Sequence, residues 1–317
     1  HPLTILITAK APIDALRPQI AAIAPDARIV TREDVDANPA LLAAMDIVFG
    51  TLMPEEFPRA SRLRWLQTTF AGMEWTAHPA IRSHPALLTN ARIHGETISE
   101  HLFGMLLMLT RQLHVAYRQQ LTKQIDRAGY LDNIDVLAGK TLCVVGLGAI
   151  GQRCAALGAA FGMRVIGVRR HPQPTPAVEQ VYGDEGLHQA LAQSDVVMVV
   201  LPNTPDTRKL FGPAEFAALK KGAYFLNAGR GQTVDTDALL SALRDGTLYG
   251  AGLDVVDPEP LPIDHPLWEM PNVILTPHVS GALPDYMATA ARVFLDNLRR
   301  FVAGEPLRFV IDKEAGY

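Results

Sequence analysis

The sequence predicts an α/β protein built on two doubly wound parallel sheets, and three observations carry that expectation. Short β-branched apolar runs alternate with stretches of helical period along nearly the whole chain. That is the pattern of parallel strands joined by covering helices. The run Val196–Leu201 is apolar at every position, as a central strand covered on both faces requires. A glycine-rich hexapeptide, residues 146–151, stands directly between a strand-like run and a helical stretch. At ~100–200 residues per domain, a chain of 317 residues has room for two.

In the first region, strands are expected at Leu3–Thr8, Ile29–Val30, Asp46–Gly50, Leu63–Thr68 and Leu87–Thr89. A helix follows from Thr97 to about Leu121, with Ile98, Leu102, Met105, Leu106, Leu109 and Leu113 at helical spacing. Its apolar surface looks wide for one helix on one sheet, so part of it is expected to meet another domain or subunit. The second region should carry strands at Thr141–Val145, Arg164–Val168, Asp195–Leu201, Ala223–Asn227, Gly250–Asp254 and Val273–Leu275. A helix over roughly Asp285–Val302 leads to a short tail. Because one long helix precedes the second sheet and another follows it, the tail can return to the first domain. We therefore expect a discontinuous domain, 1–94 with 284–317, interrupted by a second domain at 95–283, with the active site in the cleft between them.

Composition narrows the function. The chain is 48% hydrophobic and 20% charged, which is globular rather than disordered. Its formal charge is −4 and no Lys/Arg cluster exceeds two or three residues, so a nucleic-acid partner is not expected. The longest apolar run, Leu102 to Leu109, is interrupted by Gly104 and falls far short of the ~20 residues that span a bilayer. No secretory leader is visible. The two cysteines, Cys143 and Cys154, have no spacing suited to a metal, so no metal is expected and a reduced, cytoplasmic setting is.

GLGAIG runs from Gly146 to Gly151 after the strand TLCVV. Gly146 permits the tight turn, Gly148 lets backbone approach a pyrophosphate at the helix N-terminus, and Gly151 allows close helix–strand packing. Alone the hexapeptide is a weak signal; the strand, helix and strand around it make it a Rossmann dinucleotide-binding turn. Eighteen residues after Gly151, where NAD enzymes place an acid on the ribose 2′-hydroxyl, stands Arg169, followed by Arg170. A guanidinium cannot accept that hydroxyl's proton but can grip a 2′-phosphate. NADP(H) is therefore the preferred cofactor, with NAD(H) as the other possibility.

Three further segments carry reactive side chains at predicted strand ends. Arg230 follows AYFLN, Asp254 ends one strand with Glu259 five residues on, and His278 follows VILTP. All fall at the C-terminal edge, where such sheets bind ligands. Arg230 offers a bidentate fork for a carboxylate. His278 suits proton transfer, and Glu259, hydrogen-bonded to the imidazole, would favour imidazolium. A hydride donor facing a 2-keto acid needs this set, and reduction should slow as pH rises and the imidazole loses its proton.

With these segments in this order, the chain resembles the D-isomer-specific 2-hydroxyacid dehydrogenase family, most strongly from about Gly95 to Gly281. The resemblance implies a Rossmann cofactor domain inserted into a smaller flavodoxin-like substrate domain. It implies Arg230 as substrate-binding residue, Glu259 as partner of the histidine and His278 as proton donor. It places Asp254 at the nicotinamide carboxamide, and Ala149, Ile150, Leu201, Pro202 and Ala228 among the cofactor contacts. The loop Phe70–Met73 would present the backbone N–H groups of Gly72 and Met73 to the substrate carboxylate. A homodimer through the cofactor domains is implied too, and would account for the wide apolar face of the long helix.

Arg169, the NADPH preference it implies and the HPLW run at 265–268 look most like glyoxylate/hydroxypyruvate reductases. Glutamate at 259 argues against the formate dehydrogenases, which resemble HVSG but carry glutamine there. The loop text TFAGMEW departs from relatives, so substrate identity does not transfer. Two alternatives stay open: a dinucleotide-sensing, corepressor-like binding protein of the same fold, and a reductase of sugar-derived 2-keto acids. Among the remaining aromatics and histidines, Trp65 and Trp75 read as core or surface rather than cleft. Trp268 should pack behind His278, His94 and His101 read as a cap and a helix face, and Tyr130 could reach a partner subunit.

Overall fold

The computed structural model describes residues 2–72 and 74–314. The chain forms two compact units. One joins the residues up to Ile93 with those from Leu283 onward, and the other runs from His94 to Ala282.

In the first unit β1 (Thr4–Ile7), β2 (Arg28–Thr31), β3 (Ile47–Phe49), β4 (Trp65–Gln67) and β5 (Leu87–Thr89) form one sheet of order β2-β1-β3-β4-β5. Every pairing is parallel. Alternate residues feed opposite faces. Leu6, Val48 and Leu66 enter one core, while Ile5, Ile7, Ile47, Phe49 and Trp65 enter the other. The second core is closed by the helix Tyr286–Ala303, whose Ala290, Ala291, Phe294, Leu295 and Leu298 recur at helical spacing and are buried. Phe294 stacks on Phe49 at 4.5 Å and on Trp65 at 5.4 Å between ring centroids. Trp65 is a core residue; its Nε1 donates to Thr89 Oγ1 at 2.8 Å.

In the second unit β6 (Thr141–Val145), β7 (Arg164–Val168), β8 (Gln180–Tyr182), β9 (Val196–Val199), β10 (Ala223–Asn227), β11 (Leu248–Leu253) and β12 (Val273–Leu275) pair in the order β12-β11-β10-β9-β6-β7-β8. All are parallel, and the order reverses beside β6, the usual ligand-binding point of such sheets. Leu142, Val144 and Met198 face one core and Cys143, Val145 and Val197 the other. Both cysteines are buried and free.

Two expectations need correction. The sheet holds seven strands, not six, because β8 pairs along β7 at the edge. The helix expected over Thr97–Leu121 is two helices, Gly95–Thr110 and Leu113–Thr122. Gln112 breaks it at φ 54°, and its Nε2 donates to Leu109 O at 2.8 Å, taking the place of the next helical hydrogen bond. The wide apolar face of the first helix is used inside its own unit: Ile98, Leu102, Phe103, Met105, Leu106 and Leu109 all pack in one core. The exposed apolar side chains lie further on, at Leu113, Tyr117, Leu121, Ile125 and Leu131.

Candidate active site

Because the second sheet is wholly parallel, the loops after β6, β7, β9, β10, β11 and β12 leave one edge. The loop after β6 is the glycine-rich turn. Gly146 has φ +105°, a region open to glycine. A Cβ on Gly151 would lie 1.9 Å from Gly146 O, so no other residue lets the helix Ala149–Ala160 start this close to the strand. At Gly148, the N-cap of that helix, a Cβ would meet nothing within 4 Å. The turn therefore presents bare backbone at a helix N-terminus, which suits a pyrophosphate.

Arg169 and Arg170 follow β7. Arg169 Nη1 is buried with no hydrogen-bond partner among the described residues. A buried cation nitrogen left unmatched is costly, and a phosphate oxygen would satisfy it, so these residues fit a 2′-phosphorylated dinucleotide. Arg170 instead contacts Asp206, with Nη2 2.6 Å from Oδ2. Leu201 and Pro202 follow β9. The backbone of Leu201 is approached so closely by Gly229 that a Cβ there would lie 2.5 Å from Leu201 O.

Arg230 follows β10, after the buried Ala228. Its carbonyl accepts from Asn227 Nδ2 at 3.1 Å and Thr233 Oγ1 at 2.7 Å, and its Nη1 donates to Gly229 O at 2.8 Å. The next residue, Gly231, lies against the loop after β11, where a Cβ would sit 1.9 Å from Val256 O. Thr236 Oγ1 donates to Asp257 O at 2.8 Å. These contacts hold the Arg230 loop against the segment that carries Glu259.

His278 Nδ1 lies 2.8 Å from Glu259 Oε1, and both side chains are open to solvent. Carboxylate oxygens only accept, so Nδ1 carries the proton and Nε2 is the nitrogen left for other chemistry. His278 has φ 53°, and its N–H donates to Asp254 O at 2.9 Å. The Asp254 side chain is fully covered. It accepts from Thr276 Oγ1 at 2.6 Å, Val279 N at 2.9 Å and Ser280 N at 3.0 Å. Burial pushes its carboxyl up, and hydrogen bonds from the Ser280 side chain, Thr276 and the two amides outweigh burial, leaving it below the usual carboxylate range.

The geometry thus joins His278, Glu259 and Asp254 directly and sets Arg230 on the adjoining loop. Gly72 belongs to the other unit, where its carbonyl accepts from Trp75 Nε1 at 3.1 Å. Met73 lies outside the described residues. Trp268 is 53% exposed, and its indole N–H donates to Pro262 O at 2.8 Å. Tyr130 donates its hydroxyl within its own chain, to Arg111 O. His94 occupies an N-cap position but makes no side-chain cap, since its Nδ1 meets Gly281 O at 3.1 Å. Thr276 and Ser280 join the candidate site through Asp254, 22 and 26 positions away, a separation at which no sequence pattern signals the contact.

Residues 103–280 match the model of the D-isomer specific 2-hydroxyacid dehydrogenase family, NAD binding domain. Glyoxylate/hydroxypyruvate reductase B of Escherichia fergusonii is 35% identical over 81% of this chain and 79% of its own. A D-isomer specific 2-hydroxyacid dehydrogenase family protein of Aeromonas salmonicida, a solved structure, is 36% identical, covers 99% of this chain and 100% of its own, and superposes with TM-score 0.83. An NADPH-dependent glyoxylate/hydroxypyruvate reductase of Sinorhizobium meliloti, solved with NADP and sulfate, is 28% identical with TM-score 0.83, over 99% of this chain and 100% of its own. The chain belongs to the D-isomer specific 2-hydroxyacid dehydrogenase family.

Proposed function

We propose that this member of the family reduces small 2-keto acids of the glyoxylate/hydroxypyruvate class to D-2-hydroxy acids with NADPH. The observation that carries the reading is the 2.8 Å contact between His278 Nδ1 and Glu259 Oε1, on the loop beside Arg230. When bound, the reduced nicotinamide supplies a hydride to the keto carbon. His278 Nε2 delivers the proton to the keto oxygen as negative charge gathers there. The imidazole is left neutral, keeping its Nδ1 proton on the Glu259 hydrogen bond. Run backwards, the neutral ring takes the hydroxyl proton from the hydroxy acid. The Arg230 guanidinium holds the substrate carboxylate through paired hydrogen bonds and polarises the neighbouring carbonyl.

The coenzyme preference rests on Arg169, whose buried Nη1 has no partner among the described residues, and the Sinorhizobium meliloti relative was solved with NADP. We further propose a homodimer through the second unit, supported by Leu113, Tyr117, Leu121 and Ile125, exposed in succession around one helix and its end. No helix among the described residues is long and apolar enough to cross a membrane.

The test is a turnover screen with glyoxylate, hydroxypyruvate, pyruvate, phenylpyruvate and 2-ketogluconate, each with NADPH and NADH. The reading expects the small acids with NADPH to be fastest. Tight NADPH binding with no turnover on any acid would overturn it. Light scattering after gel filtration tests the dimer, and a monomer at micromolar concentration would contradict it.

A further inference from the structure

The helix Gly95–Thr110 brings two imidazoles to the segment that carries His278. His101 Nε2 lies 2.9 Å from Thr276 Oγ1 and 3.7 Å from Asp254 Oδ1. Seven residues earlier, two helical turns back, His94 Nδ1 lies 3.1 Å from Gly281 O. Thr276 and Gly281 bracket the turn. We propose that His101 is a positioning residue: it donates a hydrogen bond to Thr276 and so locks the Asp254-centred turn that aims His278. The assignment rests on the proton-donor role proposed above for His278.

The donor direction follows from counting protons. A threonine hydroxyl has one hydrogen, and at 2.6 Å that hydrogen goes to Asp254 Oδ1. Thr276 Oγ1 can then only accept from His101, so His101 carries its proton on Nε2. The chain of donors runs from His101 to Thr276 to Asp254, whose two oxygens also take the amides of Val279 and Ser280. Each bond polarises the next in a covered site. The amides that follow His278 are held by the same carboxylate. His278 itself is in the left-handed region at φ 53°, a conformation that persists only where the surroundings over-determine it. Without the His101 hydrogen bond, Thr276 can turn its hydroxyl away, and Asp254 loses that donor. His94, at the other end, acts on the last residue of the turn through Gly281 O.

The experiment compares His101→Leu, which removes the donor, with His101→Gln, whose amide nitrogen reaches to about where Nε2 stands. Thr276→Val breaks the same link from the other side. Three quantities are read: hydrogen exchange at the Val279 and Ser280 amides, kcat for keto-acid reduction, and NADPH affinity by fluorescence titration. We expect faster exchange and a roughly tenfold fall in kcat for His101→Leu and Thr276→Val, with NADPH affinity retained. His101→Gln should recover both exchange and kcat. Unchanged exchange in His101→Leu, or damage equal in His101→Gln and His101→Leu, would overturn the proposal. Exchange is read without turnover, so a parent protein inactive on every keto acid would defeat the reductase reading while the clamp is still decided.

Discussion

His278 and Asp254 form one unit: the His278 N–H donates to the Asp254 carbonyl at 2.9 Å, and the Asp254 carboxylate takes the two amides that follow. The histidine is therefore aimed by backbone as well as by its Glu259 partner. A buried aspartate with every oxygen engaged fixes a residue whose own dihedrals are uncommon, φ 53°. Rigidity of this kind is what a proton donor needs if it is to meet an oxygen at a set distance.

Arg169→Ala should weaken NADPH selectively. A charge-assisted hydrogen bond contributes about 1.5–3 kcal/mol, so the KM for NADPH should rise roughly tenfold to a hundredfold. The KM for NADH should stay close to the parent value, because NADH has no 2′-phosphate. Steady-state kinetics with both coenzymes check this; equal losses for the two would place Arg169 outside the discrimination.

Gly151→Ala should be severely destabilising. The added Cβ would meet Gly146 O at 1.9 Å, a backbone atom that cannot swing away. Either the turn distorts or the helix moves off the strand, at a cost of more than about 4 kcal/mol. Thermal unfolding and NADPH binding should both show it. A variant of parental stability that still binds NADPH would mean the turn is far looser than described.

Acid stability should depend on His94. Burial holds this imidazole below its ordinary 6.5, and the smaller pull of the Gly281 hydrogen bond works the other way. The unfolded chain then takes up a proton near pH 6.5 that the folded chain refuses. Stability is complete above that pH and falls as pH drops toward the folded value. His84, lowered first by burial and also by nearby Lys313, acts in the same direction. His94→Asn should make the slope of stability between about pH 7.5 and 5.5 shallower, leaving the part due to His84. Urea unfolding across that range measures it, and an unchanged slope would contradict the assignment.

Much of the second unit was legible because its signals are local. A strand such as Thr141–Val145 is apolar from its second residue on, buried at every position and followed at once by glycine; burial on both faces and a tight turn leave few other readings. Arg230, Glu259 and His278 could be assigned to one edge because each follows a strand, and strand ends of a parallel sheet share one edge. The rest depended on tertiary contacts. Nothing around Gln112 resembles a helix stop: the break is made by its own amide side chain reaching Leu109 O and Tyr249 Oη. The edge strand Gln180–Tyr182 is short and half polar, so its apolar pattern is too brief to read. The hydrogen bond from the Trp268 indole to Pro262 O joins residues six positions apart in a loop, where no periodic pattern announces it. His101 and Thr276 are 175 positions apart, and only the fold puts an imidazole against that hydroxyl.

The proton-donor role proposed for His278 is tested most directly by His278→Ala, assayed with glyoxylate and NADPH beside a fluorescence titration of NADPH. Removing a general acid should lower kcat by roughly 10²–10⁴-fold, with NADPH affinity retained. Parental turnover in that variant would contradict the mechanism at its centre.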